Sequence, residues 1–271
     1  MGKGKPFLEV LASAVHEDFR FPFLEIFAFL YTLGAFALAN FTVSAFTELT
    51  TSDAVAYAVT NSLVGGSLIF FIILVFKNVA YGLGGELEKG IIQTYFSYPL
   101  KRWALLTAKL LSGVGLSLLL FFGIQISAFY ILAPDIVLSH FGTIVMTYAA
   151  SVSYPLFITA IILLVTLMLR RGGIGLVLGV VLYFGMTIGS SLAFFVAAAT
   201  ESALVIKIIS MIAPSYALQL HYRGIAGISY GSSTLWNPTL SEAMLYIGGS
   251  YAIVAALFIL GYIYFSRRLN L

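Results

Sequence analysis

The chain has 271 residues, of which 61% are hydrophobic and 9% charged, with no cysteine and a formal net charge of +3. Soluble domains carry about 25% charged residues, and disordered chains combine low hydrophobicity with high charge, so both classes are excluded. The lack of cysteine excludes disulfides and cysteine metal sites. The apolar runs are long and unbroken, unlike the alternating strands of a membrane barrel. The composition therefore predicts an all-α polytopic membrane protein.

The chain begins with a segment, residues 6–20, whose apolar side chains recur at helical spacing. This pattern predicts an N-terminal amphipathic helix in the membrane interface. Six runs of about 20 or more apolar residues follow, each long enough to cross a bilayer. The predicted transmembrane helices are 23–46, 54–76, 104–132, 141–169, 174–199 and 243–265.

The connection between the last two spans, 200–242, contains one more apolar stretch, 203–213. It is too short to cross a bilayer and is bounded by Glu201 and Pro214. It therefore predicts a re-entrant or interfacial half-helix. We expect residues 1–271 to form a single transmembrane domain, because the spans leave no room within them for a soluble catalytic domain.

The basic residues are distributed unevenly between the connections. Of the 14 lysines and arginines, all but Lys207 and Arg223 fall in the N-terminal segment, the loop 77–103 with its helix ends, the link between spans 4 and 5, and the C-terminus. Lysine and arginine accumulate on the cytoplasmic side. We therefore expect both termini to be cytoplasmic in the cell membrane, which agrees with an even number of spans. The basic charge is explained by topology, so no nucleic-acid partner is expected.

Sequence signals of an enzyme or an ion-coupled pump are missing. There is no zinc-protease motif, carboxylate cluster or phosphate-binding glycine loop. The histidines His16, His140 and His221 fall in three separate connections, so no metal site is predicted. No span has a pair of ionisable residues near its centre, where ion-coupled transporters place them. We therefore expect neither catalysis nor a cofactor on this chain.

Several uncharged polar residues fall near the middle of the predicted spans. Hydrogen bonding between helices is the preferred interpretation of any single one. The more specific hypothesis is that they line a translocation path. The candidates are Asn61, Gln125, Ser153, Tyr154 and Ser190.

The loop 77–103 between spans 2 and 3 carries the most distinctive pattern. Glu86 and Glu88 precede Gly90, and a short apolar run follows. The pattern predicts a compact cytoplasmic helix whose apolar face fits a groove on another protein. The alternative is an amphipathic connector on the lipid surface.

At this loop the sequence resembles the permease subunit of type-2 ATP-binding-cassette (ABC) exporters. That family carries an acidic residue, a basic residue and a glycine, then a short helix, a proline, an arginine and a lysine. The matching positions are Glu86, Glu88, Lys89, Gly90, Pro99, Arg102 and Lys109. Ile91 and Gln93 depart from the threonine and glutamate that the family often has there. The predicted amphipathic helix, six spans, inward termini and half-helix also resemble this family.

The resemblance implies that a separate P-loop ATPase binds ATP and magnesium in the cytoplasm. The loop helix, about residues 84–102, would sit in a groove of that ATPase. Two permeases, identical or different, would assemble with two ATPases among membrane lipids. Three alternatives remain: a secondary transporter or channel that works without an ATPase, a membrane enzyme acting on lipids, and a regulatory partner of an ATPase.

Overall fold

The computed structural model describes residues 5–20, 22–46, 52–96, 100–200, 202–225 and 236–267. Helices make up almost all of these residues, and no strand occurs among them. The helices are α1 Lys5–Asp18, α2 Phe23–Phe46, α3 Asp53–Glu88, α4 Ile91–Tyr95, α5 Arg102–Leu132, α6 Pro134–Ser139, α7 Phe141–Leu169, α8 Gly172–Thr200, α9 Ala203–Ile212, α10 Ser215–Ile225 and α11 Leu240–Arg267.

The predicted all-α architecture with six membrane-length helices is confirmed. The helices α2, α3, α5, α7, α8 and α11 are each long and apolar enough to cross a bilayer. Spans 1 and 4 have the predicted bounds. The chain is therefore suited to a multi-pass membrane position.

The loop between spans 2 and 3 is shorter than the predicted 77–103. Helix α3 continues beyond residue 76 through a π-helical segment, Lys77–Leu83, and ends at Glu88. No proline interrupts this stretch, so the helical hydrogen bonding carries on. Gly90 ends it with a φ of 71°, a left-handed conformation that favours glycine. Helix α5 starts at Arg102 and has its own π-helical segment, Leu111–Leu116.

Helix α7 forms the centre of the bundle. In an apolar stretch of 18 residues within α7, about 61% is buried inside the chain, compared with 6% in the corresponding stretch of α8. It packs against α11, α3 and α8. Its side chains Ile158, Ile162 and Leu163 are fully buried. The spans α3, α8 and α11 therefore pack around α7, and the outer surface of α8 is left uncovered by other described residues.

The connection between spans 2 and 3 and the link between spans 4 and 5 lie at the same end of the bundle. Gly84 of α3 and Gly172 of α8 approach so closely that a Cβ at Gly84 would lie 2.5 Å from the Cα of Gly172. Phe96 and Phe265 also meet there, with ring centroids 6.3 Å apart. We call this the basic end, because it gathers most of the described lysines and arginines: Arg20, Lys77, Lys89, Lys101, Arg102, Lys109, Arg170, Arg171 and Arg267.

The opposite end holds α6, α9, α10 and the start of α3. An ion pair joins His140 Nδ1 to Asp53 Oδ1 at 2.8 Å. Of the other described lysines and arginines, Lys207 and Arg223 belong to α9 and α10 at this end, and Lys5 begins α1.

Candidate functional site

A cluster of side chains around the buried Lys109 joins four helices at the basic end. Lys109 of α5 is only 8% exposed, and its Nζ donates to Glu17 Oε2 of α1 at 2.8 Å. The same nitrogen pairs with Glu86 Oε1 of α3. The ring of Tyr95 on α4 lies 5.3 Å from this cation. The Lys109 cluster, defined as Lys109, Glu17, Glu86 and Tyr95, thus connects α1, α3, α4 and α5.

A second acidic group lies directly beside this cluster. Ser112 Oγ of the α5 π-helical segment donates to Asp18 Oδ2 at 2.5 Å. Lys77 Nζ of the α3 π-helical segment donates to the backbone oxygen of Asp18, also at 2.5 Å. The C-terminal end of α1 is therefore held against both π-helical segments.

The two neighbouring carboxyls of α1 have opposite electrostatic environments. Burial raises the pKa of Asp18, although the Ser112 hydroxyl and the charges of Lys109 and Lys77 oppose it. Burial also disfavours ionised Glu17. Its hydrogen bonds with Glu86 and Lys109 outweigh that burial and hold the pKa of Glu17 below its usual range.

The short helix α4 presents a mixed surface next to the cluster. Ile92 is buried beneath it and anchors the helix to the bundle. The side chains of Ile91, Gln93 and Thr94 are exposed. At its end, the Arg102 guanidinium lies 4.8 Å above the Phe96 ring. This surface of α4 is exposed and weakly polar.

The structure separates the seven predicted coupling residues into groups. Glu86 and Lys109 are brought together in the buried cluster. Gly90 forms the left-handed turn, and Glu88 and Lys89 are exposed beside it. Arg102 begins α5 and contacts α4 through Phe96. Pro99 lies outside the described residues.

Of the predicted path residues, Gln125 joins two helices. It is buried, and its Nε2 donates to Ser67 Oγ and to the Leu63 carbonyl oxygen at 3.3 Å. It therefore links α5 to α3. Ser153 Oγ donates within its own helix to Ala150 O at 3.0 Å, and Asn61 is half-buried on α3.

Tyr154 and Ser190 are brought near each other at the junction of α7, α8 and α10. Tyr154 Oη donates to the Tyr183 carbonyl at 2.9 Å and lies 3.2 Å from Thr187 Oγ1. Ser190 Oγ lies 3.2 Å from Tyr216 Oη on α10. These two residues belong to one polar junction, whereas Gln125 belongs to another.

The sequence interpretation missed Glu17, Asp18 and Ser112. Glu17 and Asp18 lie in the segment 6–20, which the sequence predicts as an amphipathic helix, and an acidic residue in such a helix usually belongs to its polar face. The one available signal was the adjacent acidic pair at the end of that helix. Its partners, Lys109 and Ser112, lie more than 90 residues away, beyond the reach of a local pattern.

No protein-family profile matches the chain, and no curated protein matches it. The functional interpretation therefore depends on the arrangement of the residues themselves.

Proposed function

We propose that this chain is the membrane-spanning permease subunit of an ATP-driven exporter. A separate P-loop ATPase would dock at the basic end and supply the energy. The six spans would provide the translocation path. The observation that carries the proposal is the Lys109 cluster, which joins the helix beside the docking face to the helices that cross the membrane.

The connection between α4 and the spans supports mechanical coupling. Helix α3 has 36 residues, which corresponds to a rod of ~54 Å. A push on α4 would pass through the Gly90 turn into α3 and through Lys109 into α5. Because Lys109 and Glu86 are buried, they cannot move apart without leaving a charge unpaired. The two spans and α1 would therefore move together.

The two π-helical segments provide a place where this movement can be absorbed. They face each other, and a Cβ at Gly113 would lie 3.1 Å from the Cβ of Asn78. π-helical segments inside longer helices often occur at functional sites. In this proposal, α3 and α5 bend there when the ATPases close.

The remaining sequence expectations belong to the same proposal. The basic end would face the cytoplasm, since lysine and arginine favour that side, and both chain termini would lie there. Helix α1 would rest in the membrane interface, and α9 would be the re-entrant half-helix. The junction of Tyr154, Thr187, Ser190 and Tyr216 is the best candidate for a polar wall of the path.

Co-purification tests the partner. The tagged chain is extracted in mild detergent from its native host, and bound proteins are identified by mass spectrometry. We expect a P-loop ATPase in about equal amount. Transport by the purified chain in vesicles without any ATPase would contradict the proposal and favour a secondary transporter or channel.

Variants of the docking turn test the coupling. In the reconstituted complex, Glu88→Lys and Gly90→Pro should abolish stimulation of ATP hydrolysis by cargo while membrane insertion persists. Glu9→Lys changes another exposed acidic residue, on α1, and serves as the matched control. Full coupling in both turn variants would overturn the assignment of α4 as the coupling helix.

A further inference from the structure

An apolar cavity lies near the opposite end of the bundle, away from the Lys109 cluster and the polar junction. It has a volume of about 270 Å³. Its walls come from the second half of α5, from α6, from the first half of α7 and from α11. The lining residues are Phe122, Ile126, Phe129, Val137, Phe141, Ile144, Val145, Tyr148, Ala149 and Tyr251.

The cavity has a buried floor and an exposed rim. Phe129 and Ile144 are 1% and 2% exposed, whereas Phe141 and Val145 on the rim are 59% and 46% exposed. The rim residues belong to spans, so the opening faces the region that a bilayer would occupy. Molecules that enter it therefore come from the membrane.

The walls of the cavity favour an apolar occupant over water. A buried water needs two to four polar partners. Tyr148 and Tyr251 supply the only polar side chains of the lining, and Tyr251 Oη already donates to the Ala149 carbonyl at 3.1 Å. The Tyr148 hydroxyl has no hydrogen-bond partner among the described residues, but the rest of the lining is almost entirely apolar, and apolar carbon loses dispersion contacts when it faces empty space.

The volume of the cavity limits the size of the molecule that it can bind. A cavity of ~150 Å³ holds one benzene ring, and pockets for drug-sized ligands begin at ~300 Å³. The present cavity lies between these limits and is lined by no charged residue. It therefore matches one aliphatic chain and excludes a polar headgroup, which would stay outside the rim.

We propose that this cavity binds a single aliphatic chain of a membrane amphiphile. The chain enters past Val145 and Phe141 and packs against Phe129 and Ile144. This site is independent of the proposed exporter function, because it needs neither an ATPase nor ATP. Two sources share the required chemistry: an acyl chain of a bilayer phospholipid and a free amphiphile dissolved in the bilayer.

Photolabelling tests the proposal on the full-length chain in phosphatidylcholine vesicles. The probe is a phosphatidylcholine with a diazirine on one acyl chain, and labelled peptides are mapped by mass spectrometry. Labelling of α5 and α7 wall peptides is measured relative to α8, the least buried span. We expect the wall peptides to be labelled in excess of α8.

Cavity-filling variants provide the decisive comparison. Ala149→Phe places a ring in the cavity, and the relative wall labelling should fall about tenfold, as a loss of ~1.4 kcal/mol in binding would give. Ala256→Phe makes the same change at an exposed position of α11 outside the lining and should leave labelling unchanged. Val145→Phe is a second filling variant, used if Ala149→Phe does not fold.

A diazirine fatty acid distinguishes the source. Labelling by the phospholipid identifies a bilayer lipid, and labelling by the fatty acid alone identifies a free amphiphile. If neither probe labels the walls above α8, or if both filling variants leave the labelling unchanged, the cavity does not bind a chain and the proposal is overturned.

Discussion

Each end of the bundle contains a contact between a basic and an acidic side chain, but the surroundings of these two pairs differ. At the basic end, the side chains of Lys109 and Glu86 are 7% and 10% exposed. At the opposite end, the Asp53 side chain of the pair with His140 is 60% exposed. One pair is buried among four helices, and the other lies at the surface.

This difference indicates where the bundle is sensitive to change. Removing one partner of a buried pair leaves an uncompensated charge, whereas exposed pairs contribute little because water screens them. Substitutions at the basic end should therefore destabilise several helices together, whereas substitutions at the opposite end should cost little stability. The following predictions test this contrast, from the largest expected effect to the smallest.

The largest effect is expected for Lys109→Met. This change leaves Glu17 and Glu86 without their cation and should destabilise the chain by about 3 kcal/mol. The thermal midpoint in detergent should fall by roughly 6–12 °C. Lys89→Met, an exposed lysine at the same end, is the control and should shift the midpoint little. Adding Glu86→Leu to Lys109→Met should recover part of the loss, and equal midpoints for both lysine variants would refute the buried-charge interpretation.

A somewhat smaller effect is expected where α3 meets α8. Gly84→Ala would place its Cβ 2.5 Å from the Cα of Gly172, so the helices must move apart at a cost of about 1–3 kcal/mol. Gly85→Ala is the matched control, because its Cβ has nothing within 4 Å. It should be neutral or slightly stabilising, since alanine favours helix by about 1 kcal/mol. Equal thermal midpoints for the two variants would show that the close approach is not required.

The neighbouring carboxyls of α1 should respond to pH in opposite ways. Because the folded-state pKa of Glu17 is lowered, its stabilisation is present above its usual pKa and is lost as pH falls. Because the pKa of Asp18 is raised, the folded state loses stability as pH rises above the usual aspartate value of ~3.9. At pH 7.5, Glu17→Gln should therefore lower the thermal midpoint.

Asp18→Asn should retain or raise the midpoint at pH 7.5, because the amide oxygen still accepts from Ser112 and no charge is buried. Glu17 is half-exposed, so Glu17→Gln should cost no more than about 1 kcal/mol of folding stability. Midpoints measured between about pH 3 and pH 8 check both variants, since the pH-dependent range of each carboxyl begins near its usual pKa of about 4. A loss for Asp18→Asn at pH 7.5 as large as that for Glu17→Gln would contradict the contrast.

The smallest effect is expected at the opposite end for Asp53→Asn. It removes the ion pair with His140 but keeps an oxygen that can accept from Thr143. The thermal midpoint should change by no more than the equivalent of about 1 kcal/mol. A loss as large as that of Lys109→Met would remove the distinction between the two ends.

The spans were predictable because each is a continuous apolar run longer than the bilayer is thick. The end of α3 was not predictable from the sequence, since residues 77–88 are less apolar and helical continuity there depends on packing against α1 and α8. Glu86 and Lys109 were selected by the motif resemblance. Their contact with Glu17 could not be predicted, because an acidic residue in a predicted amphipathic helix is usually assigned to its polar face.

The sequence by itself determined the all-helical class, the six membrane-length helices and the uneven distribution of basic residues, since each follows from local composition and period. Only the tertiary structure decided which polar residues meet. It placed Lys109 between two carboxylates, Gln125 against Ser67, and Tyr154 near Ser190. It also formed the apolar cavity between α5 and α7. The physical reason is that these contacts join residues on different helices, and side-chain packing between helices sets their distances.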